Sequence, residues 1–175
     1  MKRLVADTGP LFHLYEARAL HLLPLMGKVF PPPLVATELR FHAPALWTGA
    51  FPYWVEPQIL SAGSQHNALQ WQREGLLHGG EAEALALTLE IKPDWLLTDD
   101  AAARMMAESL GIEVHGSIGV VLVAAASGLV GKIEAEILLT GLEQSSLWIS
   151  KKGPQASAGR IGKTLYIWPD IIKGT

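Results

Sequence analysis

Residues 4–12 read LVADTGPLF, an apolar strand that leads straight into the start of a helix. The run Leu4-Val5-Ala6 is apolar throughout, as expected of a strand that is covered on both faces. Thr8 is expected to cap the helix, Gly9 permits a tight turn, and Pro10 suits a first helical position. Asp7 is therefore expected at the carboxyl end of a strand, where open α/β sheets place their ligands.

The same alternation of strand and helix continues along the chain. Further short strands are expected at residues 27–31, 94–98 and 112–115, and an edge strand is a further option at residues 53–55. Helices are expected at residues 11–23, 34–41, 68–77, 81–89, 101–110, 119–127 and 133–142. Short apolar strands that alternate with helices predict an α/β fold with a mostly parallel sheet.

The composition excludes several kinds of protein. The chain has 175 residues, of which 49% are apolar, and a mean hydropathy of +0.23, which indicates a folded globule and not a disordered chain. It has no cysteine, so disulfides, zinc–thiolate sites and thiol catalysis are excluded. The most apolar region, residues 118–130, is too short to span a bilayer. We therefore expect a cytoplasmic protein with no membrane contact.

The chain changes character after Ser150. Five basic residues and only one acid follow that position, although the net charge of the whole chain is −3. Glycine, proline and serine interrupt residues 153–159, and residues 164–168 resemble a strand. We expect one domain over residues 1–150, followed at 151–175 by a basic tail or an added edge strand. The tail could bind RNA backbone or serve only to keep the protein soluble.

Acidic residues recur where the predicted strands end and the helices begin. Asp7 follows the first strand, Glu81 opens a helix after two glycines, and Asp99 and Asp100 follow the strand at residues 94–98. Glu38 lies on a helix between strands. Carboxylates gathered at one edge of a sheet repel one another unless a cation neutralises them. Oxygen ligands without cysteine favour Mg²⁺ or Mn²⁺, which can activate water against a phosphodiester.

A second explanation of these acids is purely structural. Acidic side chains at helix starts are stabilised by the helix dipole and by capping, with no function required. The pattern alone therefore leaves capping and metal binding both open.

Five segments, in order along the chain, resemble the PIN-domain family. They are VADTGPL (5–11), VFPP (29–32) with Glu38 after it, GEAEA (80–84), LTDDAAAR (97–104) and GSIGVV (116–121). The resemblance covers roughly residues 3–145 and is nearest to the VapC-like, predicted nucleic-acid-binding subgroup of prokaryotic toxin–antitoxin systems. It implies a three-layer α/β/α fold around a central, mostly parallel sheet of four or five short strands.

The resemblance also implies an activity and assigns residues to it. The activity is Mg²⁺- or Mn²⁺-dependent cleavage of RNA, which leaves 5′-phosphate and 3′-hydroxyl ends. The metal would be held by Asp7, Glu81 and one or both of Asp99 and Asp100, while Glu38 completes the acidic cluster and orients the attacking water. Many relatives have Asp at the third acidic position. In this chain the resemblance gives that position to Glu81, or else to Glu83.

Partners follow from the same resemblance. It implies an RNA substrate, a homodimer, and a small antitoxin protein that covers the acidic cleft. The apolar helical segments at residues 11–25 and 68–77 could serve either protein contact or belong to the core. Trp47 and Trp54, in the irregular middle of the chain, are further candidates for a partner groove.

Two other functions stay open at this stage. One is a nucleic-acid-binding or scaffold protein that has the same fold but no catalysis. The other is a phosphohydrolase that uses Asp7 as a nucleophile, although such enzymes commonly need a second acid where this chain has Gly9. Arg104 could contact a phosphate or form an i,i+4 ion pair with Asp100.

Overall fold

The computed structural model describes residues 1–149. The strands are β1 (Lys2–Ala6), β2 (Gly27–Phe30), β3 (Trp95–Leu97) and β4 (Val114–His115). The helices are α1 (Thr8–Glu16), α2 (Leu22–Met26), α3 (Pro33–His42), α4 (Pro44–Trp47), α5 (Ala62–Arg73), α6 (Gly79–Ile91), α7 (Ala101–Ser109), α8 (Ser117–Ala126), α9 (Lys132–Glu143) and α10 (Ser146–Ile149). The predicted tail, with its strand-like part at 164–168, lies outside the described residues.

Four parallel strands form the sheet found in this part of the chain, in the order β2-β1-β3-β4. Leu4 of β1 lies beside Val29 on one side and beside Trp95 on the other. Leu97 of β3 lies beside His115 of β4. Because all four strands run in the same direction, their carboxyl ends meet at one edge. The predicted α/β fold with a parallel sheet is confirmed.

Side chains of β1 alternate between two apolar cores. Leu4 and Ala6 pack with α1, α2, α8 and α9, whereas Val5 packs with α5, α6 and α7. The same alternation separates Leu97 from Leu96 in β3. A period of two is the geometry of a strand that buries both faces. The sheet is therefore the middle layer of the predicted α/β/α arrangement.

The prediction of a single helix at residues 11–23 is wrong, because the chain turns inside that range. Arg18 has a φ of 58°, which lies in the left-handed region and cannot continue a right-handed helix. The segment therefore divides into α1 and α2. The apolar pattern nevertheless runs through the turn, because Leu14 and Leu22 are buried in the same core.

The helix predicted at residues 68–77 begins earlier and ends earlier than expected. Ser61 caps α5, and its hydroxyl oxygen accepts a hydrogen bond from the Ser64 N–H at 3.3 Å. Gly75, just after the helix, has a φ of 70°, and this conformation ends the helical run.

Residues 43–60 fold against the edge of the sheet without forming a full strand. Val55 makes one isolated bridge with Val29, in place of the edge strand considered at 53–55. Trp47 is fully buried and Trp54 nearly so, with their ring centroids 6.2 Å apart. The idea that these tryptophans face a partner is therefore wrong, since they form part of the core.

The most apolar helix, α8, has ten residues. Across residues 1–149, no helix combines the length and the apolar character needed to span a membrane.

Candidate active site

A cleft of about 720 Å³ opens at the carboxyl edge of the sheet. The five acids predicted from the sequence all line it, namely Asp7, Glu38, Glu81, Asp99 and Asp100. They come from four places along the chain, because Asp99 and Asp100 both follow β3. His13, His78 and Arg104 supply the other titratable side chains of the lining. The fold thus brings together acids that are up to 93 positions apart in the chain.

Asp7 lies at the floor of the cleft and is only 6% exposed. It is the N-cap of α1, a role that we expected of Thr8, and its Oδ1 accepts a hydrogen bond from the Thr8 N–H at 2.6 Å. The Thr98 hydroxyl lies 3.4 Å from its Oδ2. Burial, followed by the charges of Glu81, Glu38 and Asp99, raises the pKa of the Asp7 carboxyl to about 7. Asp7 is thus a cap and also a buried acid close to other acids.

Glu38 approaches Asp7 from α3. The Thr8 hydroxyl donates a hydrogen bond to Glu38 Oε2. A side chain at Gly80 would meet both acids, because its Cβ would lie 2.9 Å from Glu38 Oε2 and 3.2 Å from Asp7 Oδ1. Gly80 is the second residue of α6, so the absence of a side chain there lets the two carboxylates come close to the start of this helix.

The two acids of the GEAEA segment have different roles. Glu81 lines the cleft, and its Oε2 accepts a hydrogen bond from the His78 N–H at 2.8 Å. Burial and then the charges of Asp100 and Glu38 raise the pKa of the Glu81 carboxyl above its usual value. Glu83 instead accepts a hydrogen bond from the Leu34 N–H at 2.9 Å, which satisfies the start of α3. Of the two, only Glu81 is placed to act in the cleft.

Asp99 is held by three donors. Its Oδ1 accepts from the Ser117 N–H at 2.8 Å, and its Oδ2 accepts from the Ser117 hydroxyl at 2.5 Å. His13 Nδ1 lies 2.8 Å from the same Oδ2. Burial works to raise the pKa of the Asp99 carboxyl, but the hydrogen bonds from His13 and Ser117 outweigh it and the pKa lies below its usual value. Asp99 is therefore an ionised acid at neutral pH.

Asp100 is the N-cap of α7. Its Oδ1 accepts a hydrogen bond from the Ala103 N–H at 2.8 Å, and its own N–H donates to the Thr98 hydroxyl at 3.2 Å. Arg104, one turn later, donates to the Thr98 carbonyl oxygen at 3.2 Å and pairs with Glu108 at 3.6 Å. Of the two roles considered for Arg104, the ion pair with Asp100 is wrong, because Arg104 pairs with Glu108 instead.

Sequence reasoning missed His13 and Ser117. Ser117 could have been found, because it follows β4 just as Asp7 follows β1, with one glycine between strand and serine. His13 carries no such signal, since it lies inside α1 and its partner Asp99 is 86 positions away. Only the packing of α1 against the end of β3 brings the two together.

The acids of the cleft suit a divalent cation that keeps part of its water shell better than one whose ligands all come from the protein. Within residues 1–149, no three acidic or histidine side chains converge closely enough to enclose a metal ion. Mg²⁺, however, keeps several of its waters and is commonly bound through one or two carboxylates. The five acids of the cleft supply only oxygen ligands, and Asp7 and Glu38 both adjoin Gly80. Asp7, Glu81 and one or both of Asp99 and Asp100, directly or through water, would hold such an ion, with Glu38 beside Asp7.

The protein is an α/β protein whose parallel sheet carries five carboxylates in a cleft at its carboxyl edge, a set of oxygen ligands suited to a divalent metal ion. A family model described as a PIN domain matches residues 3–162, and the chain belongs to the PIN-domain family. The match continues past Ser150 into the basic segment. PIN domains are generally nucleases and typically use a divalent metal. No curated protein matches the chain.

Proposed function

We propose that this protein is a Mg²⁺- or Mn²⁺-dependent ribonuclease that hydrolyses phosphodiester bonds in RNA. The observation that carries the proposal is the convergence of Asp7, Glu38, Glu81, Asp99 and Asp100 on one cleft. Capping explains Asp7, Glu81 and Asp100 one at a time, but it does not explain why Asp7 is buried beside Glu38, which lies inside α3, and near Glu81. Burying an uncompensated carboxylate is costly, so an arrangement of this kind indicates a site for a cation.

Each acid has a role that follows from its contacts. Asp7, fixed by the Thr8 N–H, forms the floor of the site. Glu81 and Asp100 each use one carboxylate oxygen to satisfy a helix start, and their second oxygen accepts no hydrogen bond from the described residues. Glu38, anchored through Oε2 by the Thr8 hydroxyl, keeps Oε1 to orient the attacking water. A bound divalent ion would lower the pKa of water and stabilise the charge that develops on the phosphate.

The experiment is a cleavage assay with a mixed single-stranded RNA pool. Wild type, Asp7→Asn and Glu143→Gln are incubated with Mg²⁺, Mn²⁺ or EDTA. Glu143 is an exposed acid on α9 away from the cleft, so its variant is the matched control. We expect cleavage by wild type and Glu143→Gln, none by Asp7→Asn, and none in EDTA. Cleavage by Asp7→Asn at the wild-type rate would refute the assignment.

A non-catalytic nucleic-acid-binding or scaffold protein is the second candidate. The observation that favours it is the absence, within residues 1–149, of three acids close enough to enclose a metal. The same assay separates the two functions when it is combined with calorimetry. Neither cleavage nor metal binding would favour the binding protein, whereas metal binding without cleavage would point to a different substrate.

We further propose that the protein is the toxin of a type II toxin–antitoxin pair and forms a homodimer. Support comes from the resemblance of its five segments to the VapC-like subgroup. Most of the apolar residues at 11–25 are core, but Leu25 is 55% exposed, and Leu69 and Leu76 are about half exposed. These three leucines could take part in protein contacts. Sedimentation at several concentrations tests the dimer, and growth arrest on induction, absent in Asp7→Asn, tests toxicity.

A further inference from the structure

We propose that His13 is a positioning residue, which fixes the Asp99 carboxylate by donating its Nδ1–H to Oδ2 and leaves Oδ1 as the oxygen that serves the site. This inference rests on the proposed function, because it assigns Asp99 to the same cleft. It adds a residue from the interior of α1 to a site whose acids, apart from Glu38 inside α3, lie at strand ends and helix starts.

The contact between the two side chains is buried and direct. His13 is 8% exposed, and its Nδ1 lies 2.8 Å from Asp99 Oδ2. Gly9, one helical turn before His13, borders the pair. A Cβ at Gly9 would lie 3.6 Å from His13 Cε1 and 3.9 Å from Asp99 Oδ2. Both distances are ordinary van der Waals contacts, so the hydrogen bond between His13 and Asp99 lies directly against the first turn of α1.

The hydrogen bonds around Asp99 use its two oxygens unequally. Oδ2 accepts from both the Ser117 hydroxyl and His13, whereas Oδ1 accepts only from the Ser117 N–H among the described residues. A carboxylate oxygen can accept about two hydrogen bonds. Oδ2 is therefore saturated within the protein, and Oδ1 keeps one acceptor position for water, a hydrated cation or substrate.

The two residues that donate to Asp99 also come from different parts of the fold. Ser117 begins α8 after β4, and His13 lies in α1 after β1. Ser117 alone would leave the carboxylate tethered on one side. With His13 on the other side, the plane of the carboxylate is set by two helices that pack on the same face of the sheet.

His13→Leu and His13→Asn test the inference, with His66→Leu as the control. Leucine removes the donor at a similar volume, whereas the asparagine amide can place an N–H close to the position of Nδ1. His66 is exposed on α5 and lies outside the cleft lining. All four proteins are compared by thermal unfolding, RNA cleavage with Mn²⁺, and calorimetric titration with Mn²⁺ alone.

We expect His13→Leu to lower kcat by about 10- to 100-fold with KM changed less than about threefold, as is typical when a partner of a ligating side chain is lost. His13→Asn is expected to recover most of that loss. Equal kcat in His13→Leu and His66→Leu would overturn the inference. So would a His13→Asn variant that folds yet is as impaired as His13→Leu.

The Mn²⁺ titration separates this inference from the proposed function. If wild type binds Mn²⁺ but cleaves no RNA, the ribonuclease assignment fails, and weaker Mn²⁺ binding in His13→Leu than in His13→Asn would still support the role of His13. Equal Mn²⁺ affinities in that case would overturn it. If wild type neither binds Mn²⁺ nor cleaves RNA, both proposals are wrong.

Discussion

The backbone N–H of Leu34 donates a 2.9 Å hydrogen bond to the carboxylate of Glu83, which ties the start of α3 to α6. Two residues earlier on α6, Glu81 turns to the acidic cleft. Neighbouring acids of one helix therefore have separate tasks. One supports the fold near Glu38, and the other belongs to the site.

This division predicts opposite effects for two matched substitutions. Glu81→Gln is expected to lower RNA cleavage at least about tenfold while the protein stays folded. Glu83→Gln keeps an acceptor for Leu34 but loses its charge, so we expect a loss of about 1 kcal/mol in the free energy of unfolding and near-normal cleavage. Urea unfolding and the cleavage assay measure the two effects. Strong loss of activity in Glu83→Gln alone would reverse the assignment.

Asp7 makes stability depend on pH and on divalent ions. The pKa of its carboxyl is about 7 in the folded protein, whereas an aspartate free of such surroundings, as in an unfolded chain, has a pKa of 3.8. Between these values the folded state binds more protons at Asp7, so the contribution of Asp7 to stability is greatest below about pH 4 and declines as pH rises through 7. We expect Asp7→Asn, which keeps a capping oxygen, to unfold at a temperature several degrees higher than wild type at pH 8 in EDTA.

The difference in unfolding temperature between wild type and Asp7→Asn has two internal controls. It should shrink toward zero near pH 4, where the Asp7 carboxyl of the folded protein is neutral and its repulsion from the other acids is gone. Added Mn²⁺ should raise the unfolding temperature of wild type more than that of Asp7→Asn. Thermal unfolding followed by circular dichroism checks both points, and a wild type that is the more stable protein at pH 8 in EDTA would contradict them.

Gly80 is expected to be required for the site and not for the helix. Gly80→Ala places a Cβ against Glu38 Oε2 and Asp7 Oδ1, so cleavage should fall about tenfold or more as the acids are pushed apart. Helix stability should not suffer, since alanine is the better helix former. Gly63→Ala is the matched control, because Gly63 is also the second residue of its helix and meets only Ser61 Oγ at 3.9 Å among the described residues.

Trp47 should matter for stability alone. It is fully buried, and its Nε1 has no hydrogen-bond partner within residues 1–149. Trp47→Ala is therefore expected to lower the free energy of unfolding by about 3–5 kcal/mol, and Trp47→Phe by clearly less, because no hydrogen bond is lost. Phe41→Ala, at an 81% exposed position, should stay within about 0.5 kcal/mol of wild type. Denaturant unfolding measures all three.

Local patterns predicted much of the fold. Short apolar runs marked the strands, and helix formers between them marked the helices, because both signals act over neighbouring residues. Where the predicted elements were wrong, the cause is a local backbone conformation that the pattern of apolar residues does not indicate. Arg18 adopts a left-handed conformation that few non-glycine residues take, and the apolar positions on either side of it continue as if one helix ran through.

The sequence by itself determined that acids follow β1 and β3 and open α6, since strand ends and helix starts are readable from neighbours along the chain. Only the tertiary structure decided which acids face the cleft. Glu81 and Glu83 are alike in sequence terms, and the position of α3 separates them. Likewise, His13 meets Asp99 across 86 positions because α1 packs beside the end of β3. Such contacts depend on the packing of whole helices on the sheet, which no short stretch of sequence specifies.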